Sequence, residues 1–342
     1  MELNYKKICS GFLRGLPQRT INVIERRFGL KTGKRETLDA IGQNYEITRE
    51  RVRQIAEAGL AEIKPKAKAH ENIFADFSNV LESFGGIKKE DIFLDILAGK
   101  KFRNEVFFLL NLSGDFSRIG EDDSFYSFWT KSQSVVDSAK KAVELVSAKL
   151  RVENKLFSIN ELFALEDQEL GETLGKKISD NVFASYVEIS KEIQKNPEGR
   201  LGLKNWLEIN PRGIKDKAYL VFKKQEKPLH FAQVASLIGQ LPFPSERKAH
   251  IATVHNELIK DDRFVLVGRG LYALKEWGYA PGLVKDVIIK TIKEANAPLS
   301  KEEILNKVLK QRFVKQNTVL LNLNNRDYFL KDSRGKYTIK EA

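Results

Sequence analysis

Apolar residues in the first seventy positions recur at helical spacing in separate stretches. Ile21, Ile24 and Phe28 are three and four residues apart, so they line one face of a predicted helix. Pro17 suits the first turn of this helix, because the N–H that proline lacks has no intrahelical partner there. Gly29 suits the position just past the end of the helix.

Two further helices are predicted before residue 65. A basic loop, residues 31–35, leads into a short helix with Leu38 and Ile41 on its apolar face, and residues 42–46 make the turn after it. The next helix runs from about 49 to 64 with Thr48 as its N-cap. Its core positions are Val52, Ile55, Ala56, Leu60 and Ile63. Its opposite face carries Arg49, Glu50, Arg53, Gln54 and Glu57.

Two interpretations fit this helix. A helix-turn-helix protein needs such a polar face near the start of its recognition helix, because arginine can read guanine, glutamine can read adenine and glutamate can accept from cytosine. An ordinary amphipathic helix would instead use the same side chains for ion pairs on its surface, such as Glu50 with Arg53. Spacing alone leaves both interpretations open.

Two stretches, LPQRTINVIERRFGL and TLDAIGQNYEITRERVRQIAEAGLAEI, closely resemble region 4 of housekeeping-class bacterial sigma factors. The resemblance runs from Leu16 to Ile63, and TRERVRQI is its most specific part. It implies that the third helix enters the major groove of the −35 promoter element. Arg49, Glu50 and Gln54 would then face bases, and Arg51 and Arg53 would face phosphates or flanking bases. Nothing in the 15 residues before Leu16 resembles sigma region 2, so we expect that this chain is not a complete sigma factor by itself.

Four later segments share a predicted layout of three helices followed by two short strands, which is the plan of a winged helix. They are residues 72–131, 133–213, 214–279 and 282–342. The expected fold is therefore mainly α, with a sigma region 4-like helix-turn-helix at 1–70 followed by a tandem array of winged-helix domains.

The first two of these segments have a less distinct pattern. In 72–131 we predict helices near 72–84, 88–97 and 102–112 and strands at 116–119 and 125–129. In 133–213 we predict a long helix at 134–153, shorter helices near 158–165 and 179–191, and a hairpin that ends at 206–209.

The third segment has the clearest pattern. Helices are predicted at 214–224, from Pro228 onward and at 247–260, and the hairpin 263–274 turns at Gly268-Arg269-Gly270. The stretches KPLHFAQVASLI and TVHNELIKDDRFVLVGRGLYAL resemble the HARE helix-turn-helix family, which includes the N-terminal domain of the RNA polymerase delta subunit. The resemblance implies binding to DNA or to polymerase and does not choose between them. An arginine at a hairpin tip suits contact with a minor groove or with phosphates.

The fourth segment ends the chain with the same predicted order of elements. A helix at 283–295 precedes Ser300, which forms a capping box with Glu303, and a third helix opens at residue 315. A hairpin at 329–339 turns at 332–335. Winged helices bind protein as well as DNA, so both remain open for this segment.

The distribution of charge separates the two ends of the chain from its middle. With 58 Lys and Arg against 46 Asp and Glu, the formal net charge is +12. Residues 1–75 carry +6 and residues 217–342 carry +10, whereas residues 76–216 carry −4. Nucleic acid should prefer the two basic ends.

Composition argues against several other classes of protein. A single cysteine, Cys9, excludes a disulfide framework and a multi-cysteine zinc site, and four histidines offer little material for a metal centre. We expect no catalytic residues, no metal, no cofactor and no small-molecule substrate. No apolar run approaches the roughly 20 residues of a membrane-spanning helix, and the N-terminus lacks the apolar core of a signal peptide, so we expect a cytoplasmic protein without a membrane partner.

The sequence therefore predicts a non-enzymatic DNA-binding transcription protein whose partners are double-stranded DNA and RNA polymerase. The alternatives are a polymerase-binding accessory module with incidental DNA contact and a DNA-binding accessory part of a restriction or modification system. The candidate DNA contacts are Lys34, Arg35, Thr48, Arg49, Glu50, Arg51, Arg53, Gln54, Glu57, Lys248, Thr253, Arg269, Lys315, Gln316, Asn317 and Arg334.

Overall fold

The protein, seen in a computed structural model, is mainly helical, as the sequence predicts. The structure describes residues 4–175, 177–243, 249–279, 282–312 and 314–340. They divide into two compact units, Met1–Asn205 and Trp206–Ala342. No helix in the described ranges combines the length and apolar character needed to cross a membrane.

The first unit is helical with short antiparallel strands. Its elements in chain order are α1 (Tyr5–Leu13), α2 (Gln18–Phe28), α3 (Leu38–Tyr45), α4 (Arg49–Ile63), α5 (Glu71–Ser83), β1 (Ile87–Lys89), α6 (Glu90–Ala98), α7 (Arg103–Ser113), β2 (Ser117–Ile119), β3 (Phe128–Thr130), α8 (Gln133–Glu153), α9 (Ile159–Leu174), α10 (Asp180–Glu188), β4 (Ile193–Lys195) and β5 (Leu201–Leu203). A 3-10 helix, Lys64–His70, joins α4 to α5. The strands form a sheet of order β1-β3-β2 and a β4-β5 hairpin.

One hydrophobic core joins α1, α2 and the end of α4 to α5, α6 and α7. Apolar residues of α1, α2 and the end of α4 are buried together with those of α5, α6 and α7. The ring of Phe28 on α2, for example, lies 5.2 Å from that of Phe108 and 5.9 Å from that of Phe107, both on α7. The helix-turn-helix therefore shares part of its interior with the residues that follow it.

The later part of the first unit is tied to the same body by buried polar contacts. The Lys88 ammonium on β1 lies 2.7 Å from a carboxylate oxygen of Glu188 and donates to the hydroxyl of Ser185, both on α10. Phe125 and Ser190 form an isolated antiparallel bridge. Residues on either side of α8 are thus joined by main-chain and side-chain bonds.

The described residues of the second unit form two main hydrophobic cores and a smaller cluster of Val265, Val267 and Ala273. Its elements are α11 (Gly213–Gln225), β6 (Leu229–His230), α12 (Phe231–Ile238), α13 (Ile251–Lys260), β7 (Phe264–Gly268), β8 (Leu271–Leu274), α14 (Val284–Ala295), α15 (Lys301–Gln311), α16 (Gln316–Leu323), β9 (Phe329–Lys331) and β10 (Tyr337–Ile339). The strands form a β6-β8-β7 sheet and a β9-β10 hairpin, all antiparallel. Phe222 and Val254 lie in the first core, and Ile288 and Phe329 lie in the second.

The predicted helices of the four later segments are present with small shifts, but some details differ. The predicted strand at 206–209 is wrong: Asn210 N–H bonds to the Trp206 carbonyl as a turn. The β4-β5 hairpin forms earlier because the Asn196 side chain accepts from the N–H groups of Glu198 and Arg200 and closes the turn there. The helix predicted near 158–165 continues to Leu174, and Pro228 leads into strand β6 rather than directly into a helix.

Other differences concern elements that the sequence did not indicate. Helix α1 and strand β1 were not predicted. By contrast, the capping box predicted for Ser300 and Glu303 is present at the start of α15. The boundaries of the five predicted segments stay predictions. The structure gives only two compact units, which are divided between Asn205 and Trp206 of the described chain, and no finer division.

Candidate nucleic-acid interface

The turn between α3 and α4 is fixed by close backbone packing. Glu46 adopts a left-handed conformation with φ of 54°, and the Ile47 N–H donates to the Gly42 carbonyl at 3.0 Å. A Cβ on Gly42 would lie 2.6 Å from the Ile47 carbonyl oxygen, so the close approach requires glycine there. Helix α3 continues to Tyr45, whereas the sequence predicted that the turn after it would begin at residue 42.

Helix α4 starts and packs as its sequence predicts. The Thr48 hydroxyl accepts from the Arg51 N–H at 3.2 Å and caps the helix. Val52 and Ala56 are buried with Val23 of α2 and Ile41 of α3 in a small core. This core fixes the orientation of α4, and its other face is left exposed to solvent.

The exposed face of α4 is internally paired. Both guanidinium Nη atoms of Arg53 bond to carboxylates, at 2.6 Å to Glu50 and 2.5 Å to Glu57. Arg51 donates to the Gln54 side-chain oxygen at 3.2 Å. The hydrogen bond from Arg53 holds the pKa of the Glu50 carboxyl below its usual range. The ion pairs of the ordinary amphipathic interpretation are therefore present, but exposed pairs of this kind are weak and can be exchanged for other partners.

Arg49 lies at the start of α4 and is highly accessible to solvent. Its side chain is 70% exposed, and its guanidinium lies 3.7 Å from a carboxylate oxygen of Asp39 on α3. With one loose contact, this side chain can extend from the first turn of α4. Arg49, Glu50 and Gln54 thus share the exposed N-terminal half of the helix.

The basic loop 31–35 is held by α7, a contact that the sequence did not indicate. The Asn104 side-chain amide donates to the carbonyls of Gly29 at 3.2 Å and Gly33 at 2.9 Å. The Arg35 guanidinium lies 4.1 Å above the ring of Phe107. Lys34 is exposed. The loop therefore presents its charges from a fixed position.

Two arginines near this loop were missed by sequence reasoning. Arg118 on β2 lies over the same Phe107 ring as Arg35, and the charges of both lower the pKa of Arg27 on α2. Arg27 lies in the last turn of α2, where a basic residue is common, and Arg118 is more than 80 positions away from Arg35 in the sequence. Neither position carries a local signal of binding.

The candidate contacts in the second unit lie at exposed positions on several elements. Thr253 is exposed on α13, and Arg269 is exposed at the turn between β7 and β8. Lys248 lies outside the described residues. The imidazole of His230 caps α12 by accepting from the Ala232 N–H at 3.3 Å. His255 stacks on Phe231 at 4.4 Å, so these histidines have structural roles.

The remaining candidates belong to the end of the chain. Lys315, Gln316 and Asn317 are exposed at the start of α16. Arg334 is exposed in the turn between β9 and β10, where its N–H donates to the Asp332 carboxylate at 2.9 Å. These positions are accessible to a large ligand.

Comparison with known proteins assigns the helix-turn-helix. Residues 12–64 match the family model "Sigma-70, region 4", so this part of the chain is a sigma-70 region 4 domain. The match covers α2, α3 and α4, and it contains the stretch Leu16–Ile63 that resembles this region.

The curated relatives are sigma factors that align with the same part of the chain. The RNA polymerase principal sigma factor HrdD of Streptomyces viridifaciens is 42% identical over 53 residues, which is 16% of each chain. The proteins of the same name from Streptomyces griseus and Streptomyces coelicolor are 40% identical over 52 and 53 residues. The chain thus spans 16% of the length of these relatives, and the alignment concerns the region 4 domain alone.

Proposed function

We propose that this chain is a non-enzymatic, DNA-binding transcription protein that reads promoter-like duplex DNA of the −35 type through α4. The proposal extends to association with RNA polymerase during initiation. The observation that carries it is a sigma-70 region 4 domain whose α4 exposes Arg49, Glu50 and Gln54 beside each other. DNA with the matching sequence is the ligand that such a face fits.

On this proposal, reading a sequence requires a change of partners on α4. The hydrogen bond between Arg51 and Gln54 would break, and Gln54 would bond an adenine instead. Arg49 would likewise leave Asp39 and bond a guanine. Each good bidentate pair is worth about 1–3 kcal/mol of discrimination against a wrong base. The released Arg51 would then be available for a phosphate.

The second unit is proposed to hold winged-helix domains, the first of them HARE-type. Two features support this: strands β7 and β8 form a hairpin after three helices, and the exposed Arg269 lies at its turn. The net charge of +10 on residues 217–342 favours contact with a nucleic acid.

A second candidate function, docking on polymerase with incidental DNA contact, is favoured by a different observation. Large apolar side chains are exposed in both units outside the region 4 domain, among them Val152 at 81%, Ile259 at 61% and Leu321 at 73%. Within residues 4–70, by contrast, no large apolar side chain is exposed, because those of α1, α2 and α4 are buried in the shared core. A protein partner would therefore be expected outside the region 4 domain rather than on it.

The test is fluorescence anisotropy with the full-length chain, a −35-type duplex and a shuffled duplex at two salt concentrations. We expect a preference of at least about tenfold, or about 1.4 kcal/mol, that survives the higher salt. Arg49→Ala and Gln54→Ala should each reduce this preference. Arg151→Ala and Gln168→Ala are matched controls, because both residues are exposed on helices and each side chain bonds one neighbouring carboxylate.

The outcomes separate the two candidate functions. Equal binding to both duplexes that disappears at the higher salt would refute sequence reading by α4. Co-purification with core polymerase after nuclease treatment would then favour the docking function.

A further inference from the structure

Four arginines from four different elements lie together beside the start of α4. The arginine cluster consists of Arg27 on α2, Arg35 in the loop before α3, Arg49 at the start of α4 and Arg118 on β2. Three of them belong to the region 4 domain, but Arg118 lies 54 residues beyond its end at residue 64. The folded chain therefore adds a cation to this domain from outside it.

Two members of the cluster are held on one aromatic ring. The Arg35 guanidinium lies 4.1 Å from the centre of the Phe107 ring, and the Arg118 guanidinium lies 5.6 Å from it. Both also pair with Glu90: Arg35 at 3.9 Å and Arg118 through a two-pronged contact. A guanidinium fixed in this way loses less conformational entropy when it binds a ligand than a free side chain would.

The positive charge of the cluster is only partly balanced. In the part of the chain that the structure describes, the carboxylates paired with its four cations are Glu90 and Asp39. Burial lowers the pKa of Arg27. The nearby charges of Arg118, Arg35 and Arg49 lower the pKa of Arg27 further. Like charges brought this close repel each other, and a bound anion would relieve the repulsion.

We propose that Arg27, Arg35 and Arg118 form a phosphate clamp that grips the DNA backbone beside the bases read by α4. The proposal rests on the DNA-binding function proposed above and adds to it a contact outside the region 4 domain. DNA is favoured over an acidic protein because Arg35 lies four residues before Asp39, the residue that Arg49 contacts at 3.7 Å, so one duplex can meet both Arg35 and the start of α4. The planar fork of a guanidinium also matches the geometry of a phosphate.

The decisive variant is Arg118→Gln, with Arg151→Gln as its control. Arg151 is also an exposed arginine of the first unit that pairs with a single glutamate, Glu192. We expect Arg118→Gln to weaken binding equally for the −35-type and the shuffled duplex, because a phosphate contact carries no sequence information. Losing one contact should lower the salt slope by about 0.9, so the loss of affinity between 50 and 200 mM salt should become about 3.5-fold smaller. The Arg151→Gln variant should behave as the wild type.

A second variant is expected to change the affinity in the opposite direction, so the proposal can still be tested if Arg118→Gln misfolds. Glu90→Gln removes the carboxylate that partly neutralises Arg35 and Arg118, so it should strengthen binding to both duplexes. Thermal unfolding of each variant shows whether it is folded. If Arg118→Gln has lost its fold, the affinity of Glu90→Gln alone decides the test.

The results distinguish this proposal from the proposed function. If the wild type prefers the −35-type duplex but neither Arg118→Gln nor Glu90→Gln changes affinity or salt slope, the clamp is refuted and sequence reading stands. If Arg118→Gln instead changes the preference between the duplexes while the salt slope stays the same, Arg118 is not a phosphate contact and the clamp is also refuted. If the wild type binds neither duplex, the proposed function fails, and the clamp fails with it.

Discussion

The close approach of α3 to the following turn makes Gly42→Ala an informative substitution. The added Cβ would lie 2.6 Å from the Ile47 carbonyl oxygen, a backbone atom that cannot swing aside as a side-chain end can. Overpacking of this kind costs about 1–3 kcal/mol, and the clash with backbone favours the upper part of that range. Alanine returns about 1 kcal/mol through its higher helix propensity. The net loss of unfolding free energy should therefore be about 2 kcal/mol.

A matched substitution isolates the steric effect from propensity. Gly171 lies inside α9, and a Cβ there would meet no atom within 4 Å. Gly171→Ala should therefore stabilise the protein by about 1 kcal/mol through propensity alone. The two variants differ in sign although the chemical change is the same.

Urea unfolding followed by circular dichroism measures both variants, and anisotropy with the −35-type duplex measures the consequence for binding. Because Gly42 sets the entry of the chain into α4, Gly42→Ala should also lower the preference for that duplex. A Gly42→Ala protein as stable as the wild type would show that the turn can relax at little cost, and the reasoning from close packing would be refuted.

Three further predictions concern other parts of the chain. Thr48→Ala removes the cap of α4 and should lower the unfolding free energy by about 1 kcal/mol in urea titrations; an unchanged midpoint would contradict it. Arg263 donates to both carboxylate oxygens of Asp261 and lowers the pKa of Asp261 in the folded protein. The ion pair therefore stabilises the fold fully above the unfolded pKa of about 3.9, and this stabilisation is lost as the pH falls through the folded pKa. The difference in stability between wild type and Asp261→Asn should therefore shrink on acidification, and a constant difference would refute this. Burial raises the pKa of the Cys9 thiol, so iodoacetamide at neutral pH should leave Cys9 unmodified in the native protein and alkylate it in urea; mass spectrometry distinguishes the two.

The sequence predicted those features that local chemistry determines. The spacing of apolar residues located α2, α3 and α4, and the cap at Thr48 and the capping box at Ser300 were identified by residue type. Such signals lie within one or two turns of helix, so a single sequence contains them.

The features that the sequence did not predict depend on distant partners. Strand β1 has three residues and exists because Ile87–Lys89 pairs with Phe128–Thr130, about 40 positions further on. Trp206 and Ile209 are typical strand residues, yet the hairpin closes earlier through Asn196. Arg118 joins the arginines near α4 through contacts on Phe107 and Glu90 that no short window of sequence contains.

The core that α2 and α4 share with α7 has a consequence for how this gene could be rearranged. A DNA-reading module with a self-contained interior can be exchanged between proteins by recombination, because its folding needs nothing from its neighbours. Here an exchange of residues 12–64 alone would leave Phe107 and Phe108 without the ring of Phe28. Moving residues 12–64 alone into another protein would therefore expose the apolar faces of α2 and α4 that pack on α7, and we expect the transferred segment to be less stable than it is in this chain.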